Sequence, residues 1–177
     1  LQMMKKKVVL LHGVTSSGKT EVYIHLIKQA LDNHKQVLYL LPEIALTVQI
    51  MERLHKVFGD RLGIYHSKYS DAERVEIWQK QMSAHPYDVI LGARSAVFLP
   101  FQNLGLVIID EEHETSFKQQ DPAPRYHARS AAIVLAGMYP DCKVLLGTAT
   151  PSMESYYNAQ EGKYGLVELK TRYKDIQ

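Results

Sequence analysis

Three short stretches of this chain carry residue types whose spacing can do chemistry. The first is Gly13-Val14-Thr15-Ser16-Ser17-Gly18-Lys19-Thr20, a G-x-x-x-x-G-K-T pattern. It follows the apolar run Val8–Leu11 and precedes a helical pattern, the strand–loop–helix context in which such a pattern binds phosphate. Gly13 and Gly18 let the backbone turn tightly and aim successive N–H groups at phosphate oxygens. Lys19 supplies a point charge that reaches β- and γ-phosphates, and the Thr20 hydroxyl is a ligand for Mg²⁺. The helix that follows directs its positive end at the same anion. Nucleotide binding, with ATP and Mg²⁺ as cofactors, is the chemistry these residues suit.

The second stretch is Asp110-Glu111-Glu112-His113, which the apolar run Leu106–Ile109 enters directly. Asp110 is placed to hold Mg²⁺ through its water shell, and Glu111 to polarise a water for attack on the γ-phosphate. A lone histidine near a strand end, as His113 is, is more often a satisfied structural residue than a catalytic one. The third stretch, Gly147-Thr148-Ala149-Thr150-Pro151, follows another apolar run. Its small hydroxyl residues can hydrogen-bond the acidic cluster and report the state of the γ-phosphate. Read alone, it is a strand exit followed by a helix cap at Thr150, with Pro151 at the first helical position.

The elements that must position these stretches alternate along the chain. Strands are expected at Val8–Leu11, Val37–Leu41, Leu62–Tyr65, Asp88–Leu91, Leu104–Ile109 and Lys143–Leu146. Between them run amphipathic helices. The first turns Tyr23, Leu26, Ile27, Ala30 and Leu31 inward, and the second Ile50, Met51, Leu54, Val57 and Phe58. The third opens on a capping box, Ser70-Asp71-Ala72-Glu73, with Val75, Trp78 and Met82 inward. A fourth sets Ala128, Ala131, Ala132, Leu135 and Met138 on one face. Continuous apolar strands alternating with helices imply an α/β domain: a parallel sheet covered on both faces, with sites at the carboxyl ends of its strands. The stretch Leu166–Gln177 is polar after one more candidate strand.

Bulk properties narrow the classes further. At 177 residues, 46% hydrophobic and 23% charged, the chain suits one globular domain with a sizeable core. No apolar run approaches the ~20 residues of a membrane span, and no membrane partner is expected. The basic start Leu1–Lys7 is followed by too short an apolar stretch for a signal peptide, and Leu1–Met4 reads as the stub of a longer chain or an artificial boundary. The single Cys142 excludes an internal disulfide and a multi-cysteine zinc site in this segment, so a reducing, cytoplasmic setting is the default. A net charge of +2 permits nucleic-acid binding only through a local basic surface.

In this order, G-x-x-x-x-G-K-T, Asp-Glu-Glu-His and Gly-Thr-Ala-Thr-Pro resemble motifs I, II and III of superfamily 2 helicases. Longer pieces resemble the primosomal, replication-restart branch of that superfamily. They are Gly13–Tyr23, Leu41–Thr47, Tyr65-His66-Ser67, Gly92–Phe98, Asp110–Gln120 and Pro124–Arg129, and the resemblance that they carry extends over nearly the whole chain. The resemblance implies a RecA-like three-layer sandwich, the ATP-binding lobe of a DNA motor over residues 1–165, with 166–177 leading toward a second lobe. It implies that Pro42, Glu43, Arg94 and Ser95 line a single-strand DNA path, and that His113 links the nucleotide site to Thr148 and Thr150. It also places Phe117, Lys118, Arg125 and Tyr126 in a loop coupling DNA contact to hydrolysis. The residue types suit that role, since aromatic rings stack on bases and cations meet phosphates. Ser16 stands where the family usually has glycine.

Implied partners are single-stranded or forked DNA, the second lobe and the DNA-binding and zinc-binding regions of the parent chain, and other primosome and single-strand-binding proteins. An isolated first lobe is expected to bind nucleotide weakly and not to unwind. Two other classes fit the phosphate loop: a generic nucleotidase or small-molecule kinase, and a binding module without turnover. The joint presence of Asp110–His113 and Thr148–Thr150 disfavours the kinase, and intact Lys19, Thr20, Asp110 and Glu111 disfavour the inert module.

Overall fold

A computed structural model of the chain describes residues 8–13, 16–66, 68–110, 128–148 and 165–169. Seven strands form a single sheet in the order β3-β4-β2-β5-β6-β1-β7. They are β1 (Val8–Gly13), β2 (Gln36–Leu40), β3 (Leu62–Tyr65), β4 (Val89–Gly92), β5 (Leu104–Asp110), β6 (Lys143–Thr148) and β7 (Gly165–Leu169). Every pairing among them is parallel. The sequence explains this. Alternate residues of a strand face opposite sides, and here both sets are apolar. In β2, Val37 and Tyr39 enter one buried layer while Leu38 and Leu40 enter the other. Such a strand needs cover on both faces, which crossover helices provide.

Helices α1 (Ser16–Asp32) and α2 (Val48–Phe58) cover one face. From α1, Tyr23, Leu26, Ile27 and Leu31 are buried there as the periodicity requires, joined by Leu54 and Phe58 of α2. The other face is covered by α3 (Asp71–Gln81), α4 (Ala128–Gly137) and a 3₁₀ turn at Arg94–Phe98, through Ile77, Ala132, Ala136, Ala96 and Val97. Local signals set the boundaries. Thr47 Oγ1 accepts from the Ile50 N–H at 3.3 Å to open α2, and Ser70 Oγ accepts from the Glu73 N–H at 3.2 Å to open α3. At the end of α1, His34 takes a left-handed φ of 60°. Its N–H reaches the Leu31 carbonyl at 3.0 Å and that of Lys35 the Ala30 carbonyl at 3.0 Å, the two bonds of a Schellman cap.

The inward face of α3 is not the one its spacing predicts. Val75, Trp78 and Met82 are exposed, Met82 at 70%, and the buried residues are Ile77 and Gln81. The reason lies outside the helix. The Gln81 amide donates to the Pro100 carbonyl at 3.1 Å and its Oε1 accepts from the Tyr87 N–H at 2.9 Å. A buried amide satisfied by loop backbone fixes which face turns inward, even at the cost of leaving an indole half exposed. Val57 of α2 and Met138, just past α4, are likewise outward. At the same end of the sheet, Gln36 Oε1 accepts from the N–H groups of Gln102 and Asn103 at 2.7 and 2.9 Å, and its amide donates to the Tyr87 carbonyl at 3.0 Å. These glutamines tie down the loops at the end opposite the chemistry-bearing residues.

Candidate nucleotide and nucleic-acid site

The sheet order divides the carboxyl rim in two. On β5-β6-β1 lie the three chemistry-bearing stretches of the sequence, and on β4-β2 the residues expected along a DNA path. Consider the first half. β1 ends at Gly13 and α1 begins at Ser16, so Ser16, Ser17 and Gly18 already have helical backbone and none serves as a turn residue. Gly13 is the last residue of its strand, in register with Leu169 of β7. A serine at position 16 needs no left-handed φ, since it opens the helix.

Lys19 and Thr20 then sit in the first turns of α1, with Lys19 fully buried. The Lys19 ammonium lies 3.5 Å from Asp110 Oδ1, at the last residue of β5. A buried cation is tolerated only beside an anion, and the pair leaves a positive charge and a carboxylate at the mouth of the same strand ends. Tyr23, one turn further along α1, donates from its hydroxyl to the same Asp110 oxygen at 2.9 Å. The Tyr23 ring is buried edge-on to Tyr39 of β2, with centroids 5.4 Å apart.

β6 lies between β5 and β1, with Gly147 in register with Asp110 and Thr148 with His12. The strand backbone therefore brings Thr148 beside both motifs. Val14, Thr15, Glu111, His113, Phe117, Lys118, Arg125, Tyr126 and Thr150, with the helix expected to start there, lie outside the described residues.

On the second half, β2 leads into Pro42, which is buried, and Glu43, which is exposed at the start of a 3₁₀ turn (Glu43–Ala45). Arg94 and Ser95, half-buried, begin the turn after β4. Backbone bonds hold these exits side by side: the Leu41 N–H donates to the Gly92 carbonyl at 2.9 Å, and that of Ala93 to the Tyr65 carbonyl at 3.3 Å. Next along, His66 Nδ1 accepts from the Lys68 N–H at 3.0 Å and its ring lies 4.3 Å from that of Tyr69. Burial, then the charge of Glu73 and the neighbouring Tyr87, raises the Tyr69 phenol above its ordinary value.

The halves meet at the β2/β5 boundary. There a cavity of about 370 Å³ is lined by Thr20 and Asp110 from one side and by Tyr39, Leu41, Thr47 and Arg53 from the other. Arg53 of α2 also pairs with Glu21 of α1, so one ion pair crosses the boundary. Sequence reasoning gave Tyr23 and Arg53 no role in this region. The available signal was Glu21-Val22-Tyr23, a tyrosine on a buried helix face whose hydroxyl needs a partner.

Among the described residues, no three of His, Cys, Asp and Glu come together as a metal cluster, and no helix is long and apolar enough to cross a membrane. The residues present suit Mg²⁺ and a nucleotide. A hydroxyl and a carboxylate are the hard oxygen donors that Mg²⁺ takes, in small number, alongside phosphate and water.

Comparison with known proteins adds three findings. The family model for DEAD/DEAH box helicases matches residues 1–159. Replication restart protein PriA of Bacillus subtilis is 48% identical over 166 residues, covering 94% of this chain and 20% of its own length. That of Helicobacter pylori is 44% identical over 176 residues, covering 99% and 28%. The chain thus spans well under half of these relatives. Among solved structures, RecG bound to a three-way DNA junction matches 97% of the chain and 22% of its own, with a TM-score of 0.65 at 24% identity. The helicase MrfA bound to DNA and AMPPNP matches 95% and 25%, with a TM-score of 0.64 at 17% identity. These likenesses establish the RecA-like α/β fold.

Proposed function

The chain belongs to the DEAD/DEAH box helicase family, and from that premise we propose that it is the ATP-binding motor lobe of a DNA helicase acting in replication restart. In this reading the parent protein couples ATP hydrolysis to unwinding at stalled or forked DNA, in the cytoplasm. The observation that carries it is the convergence of buried Lys19, Thr20 and Asp110 on one rim, beside a cavity shared with the exit of β2. The 48% identity to the replication restart protein over nearly the whole chain supports the choice of helicase branch.

In this reading the roles come from residue chemistry and from the family resemblance. The N–H groups from Gly13 through Gly18 cradle the phosphates, together with Val14, Thr15, Ser16 and Ser17. Lys19 meets the β- and γ-phosphates, exchanging part of its attraction to Asp110 for theirs. Thr20 and Asp110 would hold Mg²⁺, which would supply positive charge against that developing on the phosphates. Glu111 accepts the proton of the attacking water. His113, Thr148 and Thr150 relay the state of the site. Single-stranded DNA runs along Pro42, Glu43, Arg94 and Ser95, with Phe117, Lys118, Arg125 and Tyr126 coupling its contact to hydrolysis. A second lobe and further DNA-binding and zinc regions complete the motor, with other primosome and single-strand-binding proteins as partners, so this lobe alone binds nucleotide weakly.

A crossed pair of substitutions tests the division of the rim. Lys19→Ala removes a charge-assisted contact worth about 1.5–3 kcal/mol, so nucleotide affinity falls roughly 10–100-fold while DNA affinity holds. Arg94→Ala should do the reverse, with DNA binding read by fluorescence anisotropy and nucleotide binding by calorimetry. Loss of both affinities in either variant would contradict a rim divided in this way.

A further inference from the structure

Gly147 sits on β6 directly under the hydroxyl of Tyr23. A methyl group at that position would stand 1.6 Å from the Tyr23 hydroxyl oxygen and 3.1 Å from Asp110 Oδ1. No side chain fits there, so the absence of one at Gly147 is what admits the phenol. The notch and the hydroxyl together let a residue of α1 reach across β6 to the last carboxylate of β5. At 2.9 Å, the Tyr23 bond falls on the same oxygen that Lys19 approaches at 3.5 Å.

We infer that Tyr23 is a positioning residue for the metal carboxylate, its hydroxyl holding Asp110 in the orientation that meets Mg²⁺ and its notch at Gly147 joining that carboxylate to β6. This rests on the reading of the site as one for Mg²⁺ and ATP. A carboxylate that ligates a metal directly or through water must be held in one orientation, and a buried hydrogen-bond donor does this without adding charge. The Tyr23 hydrogen bond and the Lys19 charge both act on Oδ1 and direct that oxygen toward α1. Finally, Tyr23 is buried and its ring is wedged against Tyr39, so the hydroxyl has little freedom to leave. Because Gly147 precedes Thr148 in the same strand, a shift of β6 changes the room available to the hydroxyl and so reaches the carboxylate.

The test is binding rather than turnover. Titrating Mg²⁺ into the full chain with a fluorescent, non-hydrolysable ATP analogue gives the metal requirement, and omitting Mg²⁺ gives the metal-free affinity. Tyr23→Phe keeps the ring and removes the hydroxyl. Loss of such an outer partner typically costs 10–100-fold in metal affinity, so the Mg²⁺ requirement should rise by about tenfold. Metal-free affinity should stay as in the wild type, while the melting temperature falls by no more than the loss of one buried hydrogen bond. Gly147→Ala should raise the same requirement and lower the melting temperature, and adding Tyr23→Phe should restore part of that loss. An unchanged requirement in Tyr23→Phe overturns the inference. So does a joint fall of metal-free affinity and melting temperature, which marks a purely structural tyrosine. Failure of the wild type to bind the analogue at all overturns the underlying site reading as well.

Discussion

At the scale of single residues, the rim is held by contacts too close for any added atom. Gly92 ends β4, and a Cβ there would stand 2.6 Å from the Tyr65 carbonyl oxygen and 2.7 Å from the Ala96 Cβ. Both neighbours are constrained, one as strand backbone and the other inside the 3₁₀ turn that begins at Arg94. Gly92→Ala should therefore destabilise the fold by about 1–3 kcal/mol, the usual range for overpacking, as measured by urea unfolding. It should also disturb the approach of Arg94. A variant as stable as the wild type would mean that the three strand exits are not packed this tightly. Lys19 is the other residue whose surroundings matter. A lysine this deeply buried has its charge balanced by Asp110, and in the proposed reading a nucleotide phosphate would share that charge.

At the scale of elements, capping and burial decide the geometry. His34 holds a left-handed φ of 60° at the end of α1, a conformation that costs a non-glycine residue about 1–2 kcal/mol. Glycine removes that strain but adds unfolded-state entropy, so His34→Gly should stabilise by a net of roughly 0.5 kcal/mol and raise the melting temperature slightly. A fall in melting temperature would show that the His34 ring contributes more than its backbone loses. For α3, Ile77→Ala should cost about 2–4 kcal/mol, whereas Met82→Gln should fall within about 0.5 kcal/mol of neutral. Equal losses in urea unfolding would return Met82 to the core. This helix marks where the sequence was hard to read. Its three large apolar residues outweigh Ile77 by count, and the hydrogen bonds that draw Gln81 inward come from loops 6 to 19 residues away. The strands were legible for the opposite reason. An uninterrupted apolar run such as Leu106–Ile109 needs no long-range partner to be recognised as buried.

At the scale of the whole molecule, strand order turns three separated motifs into one surface. Positions 19, 110 and 147 are far apart in sequence, yet β1, β6 and β5 are consecutive in the sheet. The phosphate loop and acidic strand end were legible because their residue types are specific to their chemistry. Tyr23 and Arg53 were not, because a buried tyrosine and a helical arginine look ordinary until the sheet brings Asp110 and Glu21 to them. The same order sets the exits of β4 and β2 next to the nucleotide half, with the shared cavity and the Glu21–Arg53 pair between. In the proposed motor lobe, that adjacency would let hydrolysis at one half be felt by DNA held at the other.

The measurement that bears most directly on this account is ATP hydrolysis by the full-length polypeptide, with and without single-stranded or forked DNA, using Glu111→Gln as the blank. The account predicts strong stimulation by DNA, and in Glu111→Gln a loss of turnover of about 10²–10⁴-fold with nucleotide binding retained. Hydrolysis indifferent to DNA, or normal turnover in Glu111→Gln, would contradict it.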